Sequence, residues 1–402
     1  MNTGPRLTLL GRLLILLFIG ACGYGAYVMF LKAPLVPDAG KSRAVNNRDD
    51  APPPEKPGDR VEFGIAYGTE KERWLKWAVE RYRETPEGKR TAINLLPMGS
   101  LEGAQAVLAS DKRIHVWSPA SALYEDVFRA EWQVNHQGNP VARKEALALS
   151  PMVFVLWAER HEAFIAKYKE VTFQTIGSAV LEPAGWDAIA AKPDWGLFKF
   201  GHTHPNQSNS GLMTLVLMAY DYHKKSRSLE LKDILNPQFQ TWMNGIEKGV
   251  SGMSNSTGNM MRDMVLRGPS SYDALCVYES VVIDYLKSAE GRWGELRVAY
   301  PKQNMWNDNP CYVLDVPWSS APQRKAAGEF LDFLLSEPIQ RESLKYGFRP
   351  GNPTVPIKFP ESPFVAYEKF GLKIDLTTIN EAPKAEVINN LLAIWQRSHG
   401  GR

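Results

Sequence analysis

Ala146-Leu147-Ala148-Leu149-Ser150-Pro151-Met152-Val153-Phe154-Val155-Leu156-Trp157 is a run of twelve residues without a charge. A half-exposed edge strand alternates apolar with polar residues, and this run does not, so it reads as a buried central strand. A second run of the same kind, Ala274-Leu275-Cys276-Val277-Tyr278-Glu279-Ser280-Val281-Val282-Ile283, is interrupted only at Tyr278-Glu279-Ser280. A chain that leaves one α/β unit along the first run and returns along the second builds two lobes joined by two crossover strands. A carboxylate inside such a strand needs a partner if it is buried. Glu279 therefore either pairs with a structural Arg or Lys or faces the space between the lobes.

Upstream of the first run the order is regular. Val61–Ala66 alternates as a strand, Tyr67-Gly68-Thr69-Glu70 turns, and Glu72–Tyr82 has helical apolar spacing. Thr91–Leu96 followed by Pro97-Met98-Gly99-Ser100 and a helix from Leu101 repeats the pattern, and Ile114–Trp117 with Ser118-Pro119-Ala120-Ser121 repeats it again. Strand, small-residue turn and helix, three times over, predict a parallel sheet. Ligands in such sheets sit beyond the carboxyl ends of the strands, where Thr69, Ser100 and Ser118 fall. Each of these hydroxyls suits a helix cap; together they also suit shared contact with a ligand.

Between the two apolar runs lies Phe200-Gly201-His202-Thr203-His204-Pro205-Asn206-Gln207-Ser208-Asn209-Ser210-Gly211, followed by the apolar, helix-like Leu212–Tyr220. Asn206, Ser208, Asn209 and Ser210 are good N-cap residues, and a helix start with free N–H groups also receives small oxygen-rich solutes. His202 and His204 add two imidazoles with three readings, as further donors, as weak metal ligands or as solvated side chains, and the last comes first because no metal-ligand spacing surrounds them. After the second run, strands are expected at Leu296–Tyr300 and Cys311–Val316. Helices are expected at Ala321–Ser336 and at about Lys384–Gln396.

Composition narrows the function class. The 402 residues carry a formal net charge of +3, and beyond residue 59 the balance is 40 Lys/Arg against 39 Asp/Glu, so nothing marks a nucleic-acid surface. No Gly-x-Ser-x-Gly elbow, Ser/His/Asp order or Walker loop is present, which argues against an enzyme. No cofactor is expected. At the N-terminus, Arg6 and Arg12 precede the uncharged Leu13–Leu31, which as a helix would span about 28 Å, close to the bilayer hydrocarbon. Two readings compete there: an uncleaved signal anchor, or a lipoprotein signal, since Ile19-Gly20-Ala21-Cys22 is similar to a lipobox with Cys22 as the acylated residue. Both tether the body outside the bacterial inner membrane. Residues 32–60, rich in Pro, Asp and Asn, read as a flexible spacer. An export compartment permits a Cys276–Cys311 disulfide, and two buried free thiols are the other reading.

Taken in order, Gly99-Ser100, Trp117-Ser118-Pro119-Ala120, Ser150-Pro151-Met152-Val153, His204-Pro205-Asn206, Ser208-Asn209-Ser210-Gly211-Leu212, Tyr278-Glu279-Ser280 and Gly347-Phe348-Arg349-Pro350 resemble the bacterial extracellular solute-binding protein family related to sulfate and molybdate binders. The resemblance covers roughly residues 61–355. It implies a type II periplasmic-binding fold of ABC importers, with 61–149 and 285–402 as lobe 1 and 150–284 as lobe 2. It implies that Thr69, Ser100 and Ser118 from one lobe, and Thr203, Asn206, Ser208 and Ser210 from the other, contact a small polar solute or oxyanion, with Tyr278 at the hinge. The implied partners are an ABC transporter permease or another envelope protein. A scaffold or adaptor that keeps the fold without a transport ligand is the alternative, and a cleft filled by Trp or His side chains would favour it.

Overall fold

The computed structural model describes residues 60–376 and 379–399. The expected anchor, Cys22 and all but the last residue of the spacer lie outside them. Among the described residues no helix is long and apolar enough to cross a membrane.

Eleven strands among the described residues form two sheets. In chain order they are β1 (Val61–Tyr67), β2 (Thr91–Pro97), β3 (Val116–Ser118), β4 (Val141–Ala146), β5 (Ala148–Trp157), β6 (Phe200–Gly201), β7 (Ala274–Tyr278), β8 (Leu296–Ala299), β9 (Trp306–Asn307), β10 (Pro310–Leu314) and β11 (Arg349–Pro350). The first sheet has the order β2-β1-β3-β10-β4, with β1 parallel to β2 and β3 and with β10 antiparallel to its neighbours. The three predicted strand–helix units are therefore present. Period-two alternation along β1 divides the core. Phe63, Ile65 and Tyr67 pack with Trp74, Val79, Phe330 and Leu331 of the helices Glu72–Tyr82 and Ala321–Leu335, whereas Ala66 faces Ala104, Val107 and Trp117. Gly64 faces that second side where Arg113 O would lie 2.0 Å from any Cβ, so only glycine fits.

β5 is the buried strand the opening run predicts: the side chains of Met152 to Leu156 are fully inaccessible. It is the spine of the second sheet, pairing antiparallel with β7, β8, β9 and β11. The long helix Asn209–His223 packs on this sheet and is buried all round from Asn209 to Tyr220. A helix apolar on every side has to lie inside the protein rather than on its surface.

Three sequence expectations are corrected. The apolar run from Ala274 is not one strand: β7 stops at Tyr278, and Glu279–Ala289 is a helix whose first turn carries Glu279. A carboxylate there meets the positive end of the helix, and the β-branched Val281, Val282 and Ile283 are buried in the helix rather than in a ladder. The return to the first lobe accordingly comes later, through β9 and into β10. Secondly, residues 285–300 and the C-terminal stretch do not join the first lobe. β8 pairs with β5, the 3-10 turn Glu368–Phe370 packs on β8, and the helix Ala385–His399 packs on the helices Asn209–His223, Leu231–Ile234 and Pro237–Lys248. The chain thus crosses three times, at the start of β5, at β9–β10 and at β11. Thirdly, Cys276 lies in β7 of the second sheet and Cys311 in β10 of the first, and both are buried free thiols. Of the two readings left open for these cysteines, the structure takes the buried free thiols. After a 3-10 turn at Pro193–Trp195, the chain reaches the polar loop through the two residues of β6.

Glu279 takes the structural-partner alternative. Its oxygens receive Arg349 Nε at 2.7 Å and Nη2 at 2.8 Å, and the Tyr300 hydroxyl. Neither charged side chain is more than 3% exposed.

Candidate functional site

Between the lobes lies a cleft of about 190 Å³. Its first wall is the carboxyl end of the parallel strands: Gly68, Thr69 and Glu70 after β1, Pro97 to Ser100 and Glu102 after β2, and Ala120 after β3. Its second wall comprises Gln207, Ser208 and Asn209, then Asn255, Ser256 and Thr257, then Tyr278 at the end of β7. Three helices of nine residues or more start at these walls: Ser100–Leu108, Asn209–His223 and Thr257–Arg267. Their N-cap residues Gly99, Ser208 and Ser256 all line the cleft, so the positive dipole ends of three helices lie at a common space. Across it, Thr69 Oγ1 and Ser256 Oγ approach to 3.4 Å. Nearby, Arg73 Nη1 and Asp284 Oδ1 meet at 2.6 Å, which links the two lobes beside the cleft.

Of the predicted residues, Thr69, Ser100, Ser208 and Tyr278 line the cleft together. Thr203 and Ser210 lie beneath its second wall with no accessible surface. There they form a hydroxyl chain: Thr203 Oγ1 to Ser210 Oγ at 2.6 Å, Ser210 Oγ to Thr257 Oγ1 at 2.7 Å and Ser210 Oγ to Ser208 Oγ at 3.3 Å. This close approach is allowed because residue 211 is glycine; a Cβ there would lie 2.1 Å from Thr203 O. Asn206 turns away, its amide donating to Gln396 of the C-terminal helix. Ser118 is fully buried below the first wall, where its carbonyl accepts from Gly68 N at 3.1 Å and its Oγ has no partner among the described residues.

Sequence reasoning named Asn209 only as a helix-cap residue, yet it braces the second wall. Asn209 Nδ2 donates to Tyr278 Oη at 2.9 Å and to Asn307 Oδ1 at 2.8 Å, while its own Oδ1 lacks a partner among the described residues. Burial, reinforced by the nearby Glu70 carboxylate, pushes the Tyr278 phenol well above its ordinary value, so it stays a neutral donor. Ser254-Asn255-Ser256-Thr257-Gly258 also went unassigned to the site, although it repeats the polar, helix-capping composition of 206–211. Lys71 carried no sequence signal at all. Fully buried, it donates Nζ to Glu70 Oε1 at 2.6 Å, Asn309 Oδ1 at 3.0 Å and Pro119 O at 3.2 Å. It thereby balances the Glu70 charge at the cleft and ties three strand ends together.

The histidines differ from the solvated reading. His202 is fully buried against Glu247, with Nε2 to Oε1 at 2.9 Å. His204 is half-buried, edge-on to the Trp395 ring at 4.8 Å. Among the described residues no group of three His, Cys, Asp or Glu is placed to hold a metal.

Comparison with known proteins places this architecture. No curated protein sequence matches the chain. Among solved structures, a periplasmic thiamin-binding protein is similar over 86% of this chain and 98% of its own, with a TM-score of 0.58 at 14% identity. A ferric-binding protein from Campylobacter jejuni is similar over 84% and 99%, with a TM-score of 0.56 at 12% identity. The sulfate-binding protein of Mycobacterium tuberculosis is similar over 77% and 92%, with a TM-score of 0.51 at 16% identity. At such identities these likenesses establish the fold, the two-sheet architecture of type II periplasmic binding proteins. The sequence profile described as bacterial extracellular solute-binding protein matches residues 63–349, and the chain belongs to that family.

Proposed function

We propose that this protein is held at the bacterial inner membrane by its N-terminus. In this reading its extracytoplasmic body clamps a small polar solute or oxyanion between two lobes for an ABC-type importer. The observation that carries it is the cleft, where strand ends of one lobe and helix starts of the other present hydroxyls and amides to one small space. At about 190 Å³ the cleft suits a small solute. Lys71 offsets the Glu70 charge, Glu102 accepts from Gly99 N at 3.0 Å at the start of its own helix, and the hydroxyls and the other two helix starts serve as the recognition elements. Each hydrogen bond contributes about 0.5–1.5 kcal/mol. Micromolar affinity needs about 8 kcal/mol, so solute contacts from both walls are required, and a solute that touches both favours closed lobes. No Trp or His is among the residues lining the cleft, so the scaffold alternative lacks the filled cleft it calls for.

Native mass spectrometry of the protein purified from its own membrane tests this reading. The expected result is a small solute released on unfolding, with the chain recovered in the membrane fraction and any lipid located at Cys22. Recovery of the intact chain free in the cytoplasm would overturn it.

A further inference from the structure

The family profile ends at residue 349, yet a helix beyond it touches the loop behind the cleft. Trp395, fully buried in the helix Ala385–His399, donates Nε1–H to Glu247 Oε2 at 2.6 Å. The other oxygen of Glu247 receives His202 Nε2 at 2.9 Å, and His202 Nδ1 lies 2.8 Å from Thr203 O. With Glu247 ionised, its oxygen and Thr203 O both accept, so both ring nitrogens donate and His202 is an imidazolium. Two further contacts join the same partners: His204 against the Trp395 ring, and Asn206 to Gln396. From Thr203 the hydroxyl chain continues through Ser210 to Ser208 and Thr257 at the cleft wall.

We propose that the C-terminal helix is a strut for this loop, acting through Trp395, Glu247 and the His202 imidazolium, and that His202 and Trp395 are positioning residues for solute binding. The inference rests on the reading of Thr203–Ser210 as part of the solute site. His204 on the loop itself and His399 on the C-terminal helix are titratable groups facing the His202–Glu247 pair. Burial alone would push His202 down, but the Glu247 carboxylate outweighs it and holds His202 above its ordinary value. Burial alone would push Glu247 up, but the His202 charge, with hydrogen bonds from His202 and Trp395, holds it below its ordinary value. The sign follows for each partner. The His202 contribution is complete below the ordinary histidine range and is lost as pH rises through its folded-state value. The Glu247 contribution is complete above the ordinary carboxylate range and is lost as pH falls through its folded-state value. The loop is therefore held most firmly in the window between.

Amide hydrogen exchange of the full chain, corrected for intrinsic rates, is the test. Trp395→Phe keeps the ring and removes the donor. It should speed exchange at Thr203–Gly211 at least tenfold while β1 exchanges as in the wild type. His202→Gln should loosen the same loop and flatten its pH profile, which in the wild type falls at both ends of the window. Loop exchange unchanged in both variants, or raised equally in β1, overturns the strut. So does nitrogen NMR of the wild type showing a single protonated His202 nitrogen at pH 7. Failure of the solute reading looks different: no response of the wild-type unfolding temperature to sulfate, phosphate, glucose or spermidine, while loop exchange still depends on Trp395. That outcome would leave a structural link and overturn the positioning role.

Discussion

Glu279 and Arg349, seventy residues apart in sequence, meet in a bidentate pair at 2.7 and 2.8 Å where β11 crosses beside β5. The pair locks a helix start in the second lobe to the last crossing strand. Arg349 also donates to the carbonyls of Lys373 and Ile374, which fixes the chain as it leaves for the C-terminal segment.

Arg349→Met should therefore be severe. It leaves the Glu279 carboxylate buried without its counter-charge, a change that costs about 3–5 kcal/mol. Pairing it with Glu279→Leu removes both charges and should recover much of that loss. Urea unfolding of both variants checks this, and equal losses in single and double variants would count against an ion-pair role.

The two thiols of the body should be unreactive. Burial raises both Cys276 and Cys311 to about 12, so at pH 8 almost no thiolate forms. Alkylation followed by peptide mapping should leave both unlabelled in the native protein, label both after unfolding, and give the same result without reductant. Labelling of the unfolded protein only after reduction would mean that they are bridged.

Gly211→Ala separates helix propensity from site geometry. Alanine favours a helix over glycine by about 1 kcal/mol. Here, however, the added methyl lands 2.1 Å from Thr203 O and must push the loop away. A net destabilisation of about 1–3 kcal/mol, with loss of solute response, is expected from thermal unfolding. A stabilised variant would show that the loop yields freely.

Much of this was legible in the sequence because burial and period-two or period-3.6 spacing are local properties. The three strand–turn–helix units and the uncharged run at β5 are of that kind. Glu279 was misplaced for a physical reason: the start of the helix Glu279–Ala289 is buried at five consecutive residues, Glu279 to Ile283, and such a run reads like a buried strand. Only the acidic residue at its first turn marks the difference. The C-terminal helix was visible from Val387, Leu391, Leu392 and Trp395, but an apolar stripe does not say which lobe it will meet. In the site, composition pointed to the right loop without assigning its side chains. Consecutive residues at a helix start point in different directions, so Ser208 and Asn209 reach the cleft while Ser210 is buried behind it and Asn206 faces Gln396. Lys71 follows a strand end as an ordinary-looking surface lysine, and only the tertiary arrangement encloses it.

Thermal unfolding of the full chain, with and without millimolar oxyanions, sugars and amines, tests the clamp most directly. A solute at a hundred times its dissociation constant stabilises the folded form by about 2.7 kcal/mol, a rise of roughly 4 °C for a body of this size. The account predicts such a rise with at least one class of solute. It also predicts that Asn209→Leu, which removes the hydrogen bonds bracing the second wall through Tyr278 and Asn307, abolishes the rise. No shift with any class, or a shift that survives Asn209→Leu unchanged, would contradict it.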